Sequence, residues 1–348
     1  MTNNLQLILL PFLVSLLISL VMTPIVIKVF RHFNFVVDPK LQKHPAHLHQ
    51  TPLPKGGGIP IILAITLAAL LFLKMDNHLA AILVGAWLTV IVGLIDDVRP
   101  VSPYIRLFCN FLAAAIVVMS GIGIAYITNP MGGIINLTNI EADLFALLWI
   151  PFVMNAINFS SGLDGQVSGV VAIAAIVIGL LSLNYSADIT QWSVTVLAFA
   201  LAGGFVGFAV YHFYPQKIMP GYSGTTVAGF LLAVLAILAT AKIGTALVVL
   251  GLPAIDTIYA ILRRLAKGKS PIRGDKEHLH HKLLDMGWSK IKVAIFYWFI
   301  TALLGVIALN TNATMKLFAI LALSIIIASF FLWIYFGQFS KRPDHVSG

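Results

Sequence analysis

The sequence predicts an all-α integral membrane protein, a polytopic bundle of about 11 transmembrane helices with the N-terminus outside and the C-terminus cytoplasmic. Three observations predict it. Of 348 residues, 59% are hydrophobic and only 10% charged, whereas a soluble domain carries about 25% charged residues. The apolar residues come in runs of about 17 to 24, the length that crosses the hydrocarbon core of a bilayer. The basic residues are strongly biased between alternate links, as the positive-inside rule requires.

The elements follow in order. The first run, 5–30, lacks a positive n-region and a small-residue cleavage site and is too long for a signal-peptide core. It reads as a retained first span. Ten more runs follow at 58–74, 79–95, 105–121, 141–158, 167–184, 192–211, 224–241, 243–262, 291–309 and 315–337. Pro151 interrupts the fifth, which is tolerated where neighbouring helices satisfy the freed backbone groups. Only Ala241-Lys242 separates the eighth from the ninth.

With the N-terminus outside, all of the 22 Lys and Arg residues except Lys74, Lys242 and Lys316 fall on the cytoplasmic side. The chain then reads as one polytopic domain, 1–348, with cytoplasmic links at about 31–57, 96–104, 159–166, 212–223 and 263–290. The formal charge of +9 belongs to those basic links; no nucleic-acid module accompanies it, so no nucleic-acid partner is expected. The single cysteine, Cys109, excludes an internal disulfide. Ionisable groups gather at one face rather than at the midplane of the spans, where a carrier would place them. With no internal repeat, this favours an enzyme at the inner interface over a transporter.

Five polar clusters lie in or beside the cytoplasmic links. The first runs from Asp38-Pro39-Lys40 to His49 and on through Pro54-Lys55-Gly56-Gly57-Gly58. Glycines leading into a helix let backbone N–H groups approach a phosphate, and Lys55 adds charge. A loop that merely starts a helix is the plainer reading. The second cluster is Asp96-Asp97 at the inner end of the third span, followed by Arg106. Adjacent carboxylates at a membrane boundary bind a cation, act on a substrate or simply meet water. Like charges this close resist double ionisation, which suits one of them to act as a base. Arg106 opens the next span, where it can meet an anionic headgroup.

The third cluster contains Asn155, Asn158, Ser161 and Asp164. Asn155 and Asn158 share a helix face. Two amides and a carboxylate suit a sugar or a hydrated metal, and helix capping is the alternative. The fourth, Lys217 to Thr226, offers Ser223, Thr225 and glycines as an anion-binding turn, or as a plain turn. The fifth is the most distinctive. Asp256 lies inside the ninth span; Arg263-Arg264 follow; then comes Asp275-Lys276-Glu277-His278-Leu279-His280-His281. Three imidazoles among basic residues suit phosphate oxygens. Zinc is a rival, disfavoured by the surrounding Lys and Arg and by the lack of a nearby cysteine. A basic loop resting on anionic membrane lipid is the third possibility.

Together these clusters, from about Asp38 to Gly287, resemble the bacterial polyprenyl-phosphate N-acetylhexosamine-1-phosphate transferases, relatives of the phospho-MurNAc-pentapeptide translocase. Pro52-Leu53-Pro54-Lys55 resembles the first family loop, Asp96-Asp97 with Pro103 and Arg106 the paired-aspartate motif, and Asp275 to His281 the HLHH-type loop of the N-acetylglucosamine-1-phosphate branch. The resemblance implies transfer of a sugar-1-phosphate, GlcNAc-1-phosphate by its loop type, from a UDP-N-acetylhexosamine to polyprenyl (undecaprenyl) phosphate, with release of UMP. It implies Mg²⁺, with Mn²⁺ as a substitute, and a bacterial cytoplasmic membrane with the active site on the cytoplasmic face. A homodimer is compatible with it.

In that frame Asp96 and Asp97 are the catalytic pair. Asp97 and Asp164 are metal ligands. Lys55, Arg106, Asn155, Asn158, Asp256, Arg264, Asp275, His278, His280 and His281 contact substrate. The chain also departs from the pattern. Arg106 stands where the family usually has Lys, Asn110 where it has Gln, and Ser161 and Tyr222 where it has Asp. A phenol is a poor Mg²⁺ ligand. The alternative is therefore a homologue that binds polyprenyl phosphate or nucleotide sugar without turnover; a transporter ranks third.

Overall fold

The computed structural model describes residues 2–37, 52–183, 190–239, 243–270 and 277–339. It is an all-α polytopic membrane bundle. The helices are α1 (Thr2–His32), α2 (Gly58–Phe72), α3 (Asn77–Val98), α4 (Pro103–Met119), α5 (Asn139–Phe159), α6 (Gln166–Leu183), α7 (Thr190–His212), α8 (Gly221–Leu238), α9 (Ile243–Val249), α10 (Gly251–Ala266), α11 (Leu279–Asp285), α12 (Lys290–Asn310) and α13 (Ala313–Phe339). Every one of the predicted runs has a helical counterpart. Eight described helices are long and apolar enough to cross a bilayer. α2 and α4 are apolar but shorter, at 15 and 17 residues.

The ninth run differs from a straight span. It breaks into α9 and α10, which meet at 82°. The break falls at Leu250-Gly251, where Gly251 and Pro253 interrupt an otherwise apolar run. α5 runs continuously through Pro151, because that proline is buried among neighbouring helices.

α8 lies at the centre of the bundle. Nearly all of its residues are buried, and it packs on α3 and α5. α1 packs on α7, and α7 on α6. α13 lies at the periphery, with Phe318, Ile325, Ile326 and Trp333 exposed, as suits a surface that faces lipid rather than water. Two short hairpin ladders join the links. β1 (Val36–Val37) pairs with β2 (Leu53–Pro54), and β3 (Tyr126–Thr128) pairs with β4 (Ile134–Asn136), both antiparallel.

Helix direction alternates through the bundle, so polar residues at alternate helix ends meet at one end of it. That end holds the C-termini of α3, α5 and α7, the N-termini of α4, α8 and α12, and α11. Contacts among these elements build the site.

Candidate active site

The C-terminus of α3 meets the N-terminus of α8. Asp97 Oδ1 accepts from Tyr222 N at 2.7 Å. Its Oδ2 accepts from Ser223 N at 3.2 Å and from Ser223 Oγ at 2.6 Å. The first backbone N–H groups of a helix lack intrahelical partners and carry positive potential; here a carboxylate from another helix satisfies two of them. Gly221 makes this possible. Its φ of +68° favours glycine, and a Cβ there would stand 2.3 Å from Asp97 Oδ2.

Asp96 turns the other way. Its Oδ1 accepts from Val101 N at 2.9 Å, and its Oδ2 pairs with Arg106 NH1 at 3.3 Å. The Arg106 guanidinium lies over the Tyr222 ring, 5.0 Å from its centroid. The Tyr222 hydroxyl donates to Asn110 Oδ1 at 3.3 Å. Three of the departures noted in the sequence are therefore joined, Arg106 and Asn110 both touching Tyr222. Lys55 is half-buried, bridges to Met219 through its backbone and lies within electrostatic reach of Asp97.

The segment after α5 joins this group to a second one. Asn158 Oδ1 accepts from Thr225 Oγ1 of α8 at 2.9 Å. The next residue, Phe159, faces the other way; its ring packs on His278 and under Arg264. Ser161 Oγ donates to Asn158 O at 2.6 Å. Asp164 is buried; its Oδ2 accepts from Gln216 N at 3.4 Å, and Lys290 Nζ stands 3.5 Å from its Oδ1. Asn155 is the residue that the structure leaves out of this junction: its Nδ2 donates to Pro151 O of its own helix at 2.7 Å.

The second group is built on α10 and α11. Asp256 Oδ2 pairs with His278 Nδ1 at 2.7 Å, and its Oδ1 accepts from Leu279 N at 2.8 Å. Arg264 NH2 stands 3.4 Å from His278 Nε2. His278 and His280 are parallel at 5.8 Å between centroids, and His281 lies 4.3 Å from His280. All three imidazoles are buried. Among the described residues neither ring nitrogen of His280 has a partner, and the ring rests on Gly162, where a Cβ would stand 2.3 Å from Nε2. Burial first, then the neighbouring His281 and His278, holds the His280 imidazole well below its ordinary pKa. It is therefore neutral at pH 7. Glu277 pairs with Arg263 at 2.8 Å and Lys282 at 3.0 Å. Asp275 lies outside the described residues, as do Asp38 and His49.

Sequence reasoning gave Ser223 and Thr225 only as a weak turn and missed Gln216, Lys290 and Asn110 as neighbours of site residues. Lys290 had one usable signal, its place at the first turn of a basic-tipped span.

Among the described residues, no three of His, Cys, Asp or Glu are grouped to hold a metal ion. Mg²⁺ commonly needs only one or two carboxylates, with water and substrate phosphates completing its shell. Asp164 fits that description, because it keeps acceptor capacity beyond its two long contacts. Asp97 retains less, with three donors already on its two oxygens.

Comparison with known proteins agrees with this geometry. A family model described as glycosyl transferase family 4 matches residues 79–240. The chain is 29% identical over 326 residues to the probable undecaprenyl-phosphate N-acetylglucosaminyl 1-phosphate transferase of Bacillus subtilis, covering 90% of this chain and 88% of that one. It is 28% identical to the decaprenyl-phosphate N-acetylglucosaminephosphotransferase of Mycolicibacterium smegmatis, covering 77% and 73%. It is also 28% identical to the phospho-N-acetylmuramoyl-pentapeptide-transferase of Bacillus velezensis, covering 87% and 97%. The matched region holds α3 to α8, and so the Asp97–Tyr222 junction; over it the chain is similar to glycosyl transferase family 4.

Proposed function

We propose that this protein is a phosphoglycosyltransferase that moves N-acetylhexosamine-1-phosphate, by preference GlcNAc-1-phosphate, from a UDP-sugar to polyprenyl phosphate and releases UMP. The site would face the cytoplasm of a bacterial inner membrane, where the basic links collect. The observation that carries the reading is the convergence of the Asp96–Asp97 end of α3, the Asn158–Asp164 segment and the His278–His281 loop at one end of an apolar bundle. A lipid phosphate can reach that end from the bilayer and a nucleotide sugar from water.

The reaction is a displacement at phosphorus. An oxygen of the acceptor phosphate attacks the β-phosphorus of the donor, the bond to the bridging oxygen breaks, and UMP leaves with that oxygen. Asp96 takes or orients any proton on the acceptor phosphate, which the Arg106 paired with it would bring alongside. Asp97 holds the α8 N-terminus in register, supported by its three bonds to Tyr222 and Ser223. Arg264 and the histidines grip the donor diphosphate by charge and hydrogen bonds. Neutral His280 brings two ring nitrogens without partners, one a donor and one an acceptor. Asp164, with the substrate's own oxygens, would hold Mg²⁺, whose charge offsets that developing on the phosphates.

The test uses purified full-length protein in lipid nanodiscs with polyprenyl phosphate, Mg²⁺ and UDP-GlcNAc labelled in the sugar. Labelled lipid and stoichiometric UMP are expected. Nucleotide-sugar binding without any labelled lipid would overturn the enzyme reading in favour of a non-catalytic binder, the role that the phenol at position 222 would suit.

A further inference from the structure

The geometry points to Tyr222 as a positioning residue that aims the Arg106 guanidinium at a phosphate group of a substrate, an inference that rests on the phosphate-transfer reading above. Tyr222 is the second residue of α8 and is buried. Three groups fix it from three sides. Asp97 accepts from its backbone N–H at 2.7 Å. Asn110 accepts from its hydroxyl at 3.3 Å. Arg106 covers its ring at 5.0 Å. The two adjacent aspartates thus act on one residue, Asp97 through its backbone and Asp96 through the arginine that lies on its face.

Arg106 is held in turn by two contacts of different kinds. Among the described residues its guanidinium makes one hydrogen bond, NH1 to Asp96 at 3.3 Å, and one stacking contact, the Tyr222 ring. The guanidinium carries five N–H donors in a rigid fork. One bond leaves four, and the side chain is 28% exposed. A fork held by one carboxylate and one aromatic face is preorganised for bidentate contact with phosphate. The face contact costs the guanidinium no donor, because the ring attracts it through its quadrupole.

A plain packing role for Tyr222 accounts for less. A buried leucine or methionine would fill the same space without a hydroxyl. Here the hydroxyl is placed on Asn110, itself buried, whose Nδ2 has no partner among the described residues. Leaving a buried donor unpaired is costly, so this polar pair is a poor way to fill a core. It is a good way to set the tilt of a ring. The phenol also brings no negative charge of its own at pH 7. Among the described residues Asp96 is then the one carboxylate paired with Arg106, so the guanidinium charge is offset once rather than twice.

The ligand class is a phosphate oxyanion, and it has two sources: the acceptor's terminal phosphate or the donor's diphosphate. Steady-state kinetics on full-length protein in nanodiscs, varying each substrate in turn, separate them. Tyr222→Leu removes the ring and is expected to raise KM for one substrate about tenfold with kcat changed less than about twofold. Tyr222→Phe keeps the ring and loses only its tether, so it raises the same KM about two- to threefold. Arg106→Lys raises that KM too, and Tyr222→Leu added to it has little further effect, the non-additivity expected of two residues acting as one unit.

The substrate whose KM moves identifies the phosphate. Equal effects of Tyr222→Phe and Tyr222→Leu, a fall in kcat with both KM values unchanged, or full additivity with Arg106→Lys would each overturn the inference while leaving the transferase reading intact. If wild-type protein gives no turnover, that reading fails, and the same variants are compared by Kd for polyprenyl phosphate and for UDP-GlcNAc. Should Tyr222→Leu fail to fold, Tyr222→Met supplies the ring-less variant, with the same outcomes expected.

Discussion

Asp256 and His278 lie 22 residues apart in sequence and meet at 2.7 Å in the interior. The same carboxylate accepts from Leu279 N, so one side chain of α10 fixes both the first imidazole of the loop and the start of α11. Asp256→Ala is expected to lower stability by about 3 kcal/mol, the scale for removing one member of a buried charged pair. Asp256→Asn keeps an acceptor and loses less. Thermal unfolding in detergent checks the order, and UDP-GlcNAc binding should weaken in step with it.

Asp97 is expected to behave as a clamp. Asp97→Ala orphans Tyr222 N, Ser223 N and Ser223 Oγ together and should cost about 2 kcal/mol, as for a lost helix cap with unpaired donors. Asp97→Asn retains one acceptor oxygen and should recover about half. If the two variants prove equally stable and equally inactive, the carboxylate serves proton transfer and not the junction.

Gly162 gives a steric test of the imidazole loop. A Cβ at this position would stand 2.3 Å from His280 Nε2, so Gly162→Ala must displace a buried ring that has nowhere easy to go. Donor binding should weaken at least tenfold while the bundle stays folded. Ser161→Ala, next to it, loses only a hydroxyl bonded to Asn158 O and should have a smaller effect. Isothermal titration with UDP-GlcNAc ranks the two.

These predictions mark what was legible in the sequence. The long helices were, because each is an apolar run bounded by charge, Gly or Pro; α11, short and polar, was not. The 82° break between α9 and α10 was not, because Gly251 and Pro253 are also tolerated inside a continuous span, as Pro151 is in α5. Residue types and their common end of the bundle were legible as well. Pairings were not: Asp97 meets Tyr222 across 125 positions and Asn110 meets Tyr222 across 112, and no local pattern encodes contacts that only helix packing creates. Asn155 differs from Asn158 in its contacts: its Nδ2 donates to Pro151 O on the preceding turn, whereas Asn158 reaches α8, a difference that their shared spacing does not encode.

His280 sets a pH dependence. Burial holds its pKa well below the ordinary histidine value of 6.5, so between those two values the unfolded chain binds a proton that the folded chain does not. Stability therefore rises with pH through that window and falls as pH drops below about 6.5, by at most about 1.4 kcal/mol per pH unit for one proton. The unfolding temperature should drop between pH 7.5 and pH 5.5. His280→Gln, which cannot titrate, should flatten part of that slope; an unchanged slope would show that other groups set it.

The phenol at position 222 separates two ways of handling phosphate charge. A double substitution, Ser161→Asp with Tyr222→Asp, adds two hard oxygen ligands near Asp164 and Asp97, the kind Mg²⁺ prefers. Half-maximal activity should then be reached at a lower Mg²⁺ concentration than in the wild type. The same change removes the aromatic face from Arg106 and brings a third carboxylate beside Asp96 and Asp97, so KM for the phosphate that Arg106 holds should rise. The expected result is a trade, with tighter metal and weaker substrate, rather than a simple gain. Activity titrated against Mg²⁺ at several substrate concentrations reads both quantities from one data set. A variant that gained on both would show that Tyr222 is only a lost ligand; a variant that lost on both would show that neither position lies within reach of the metal.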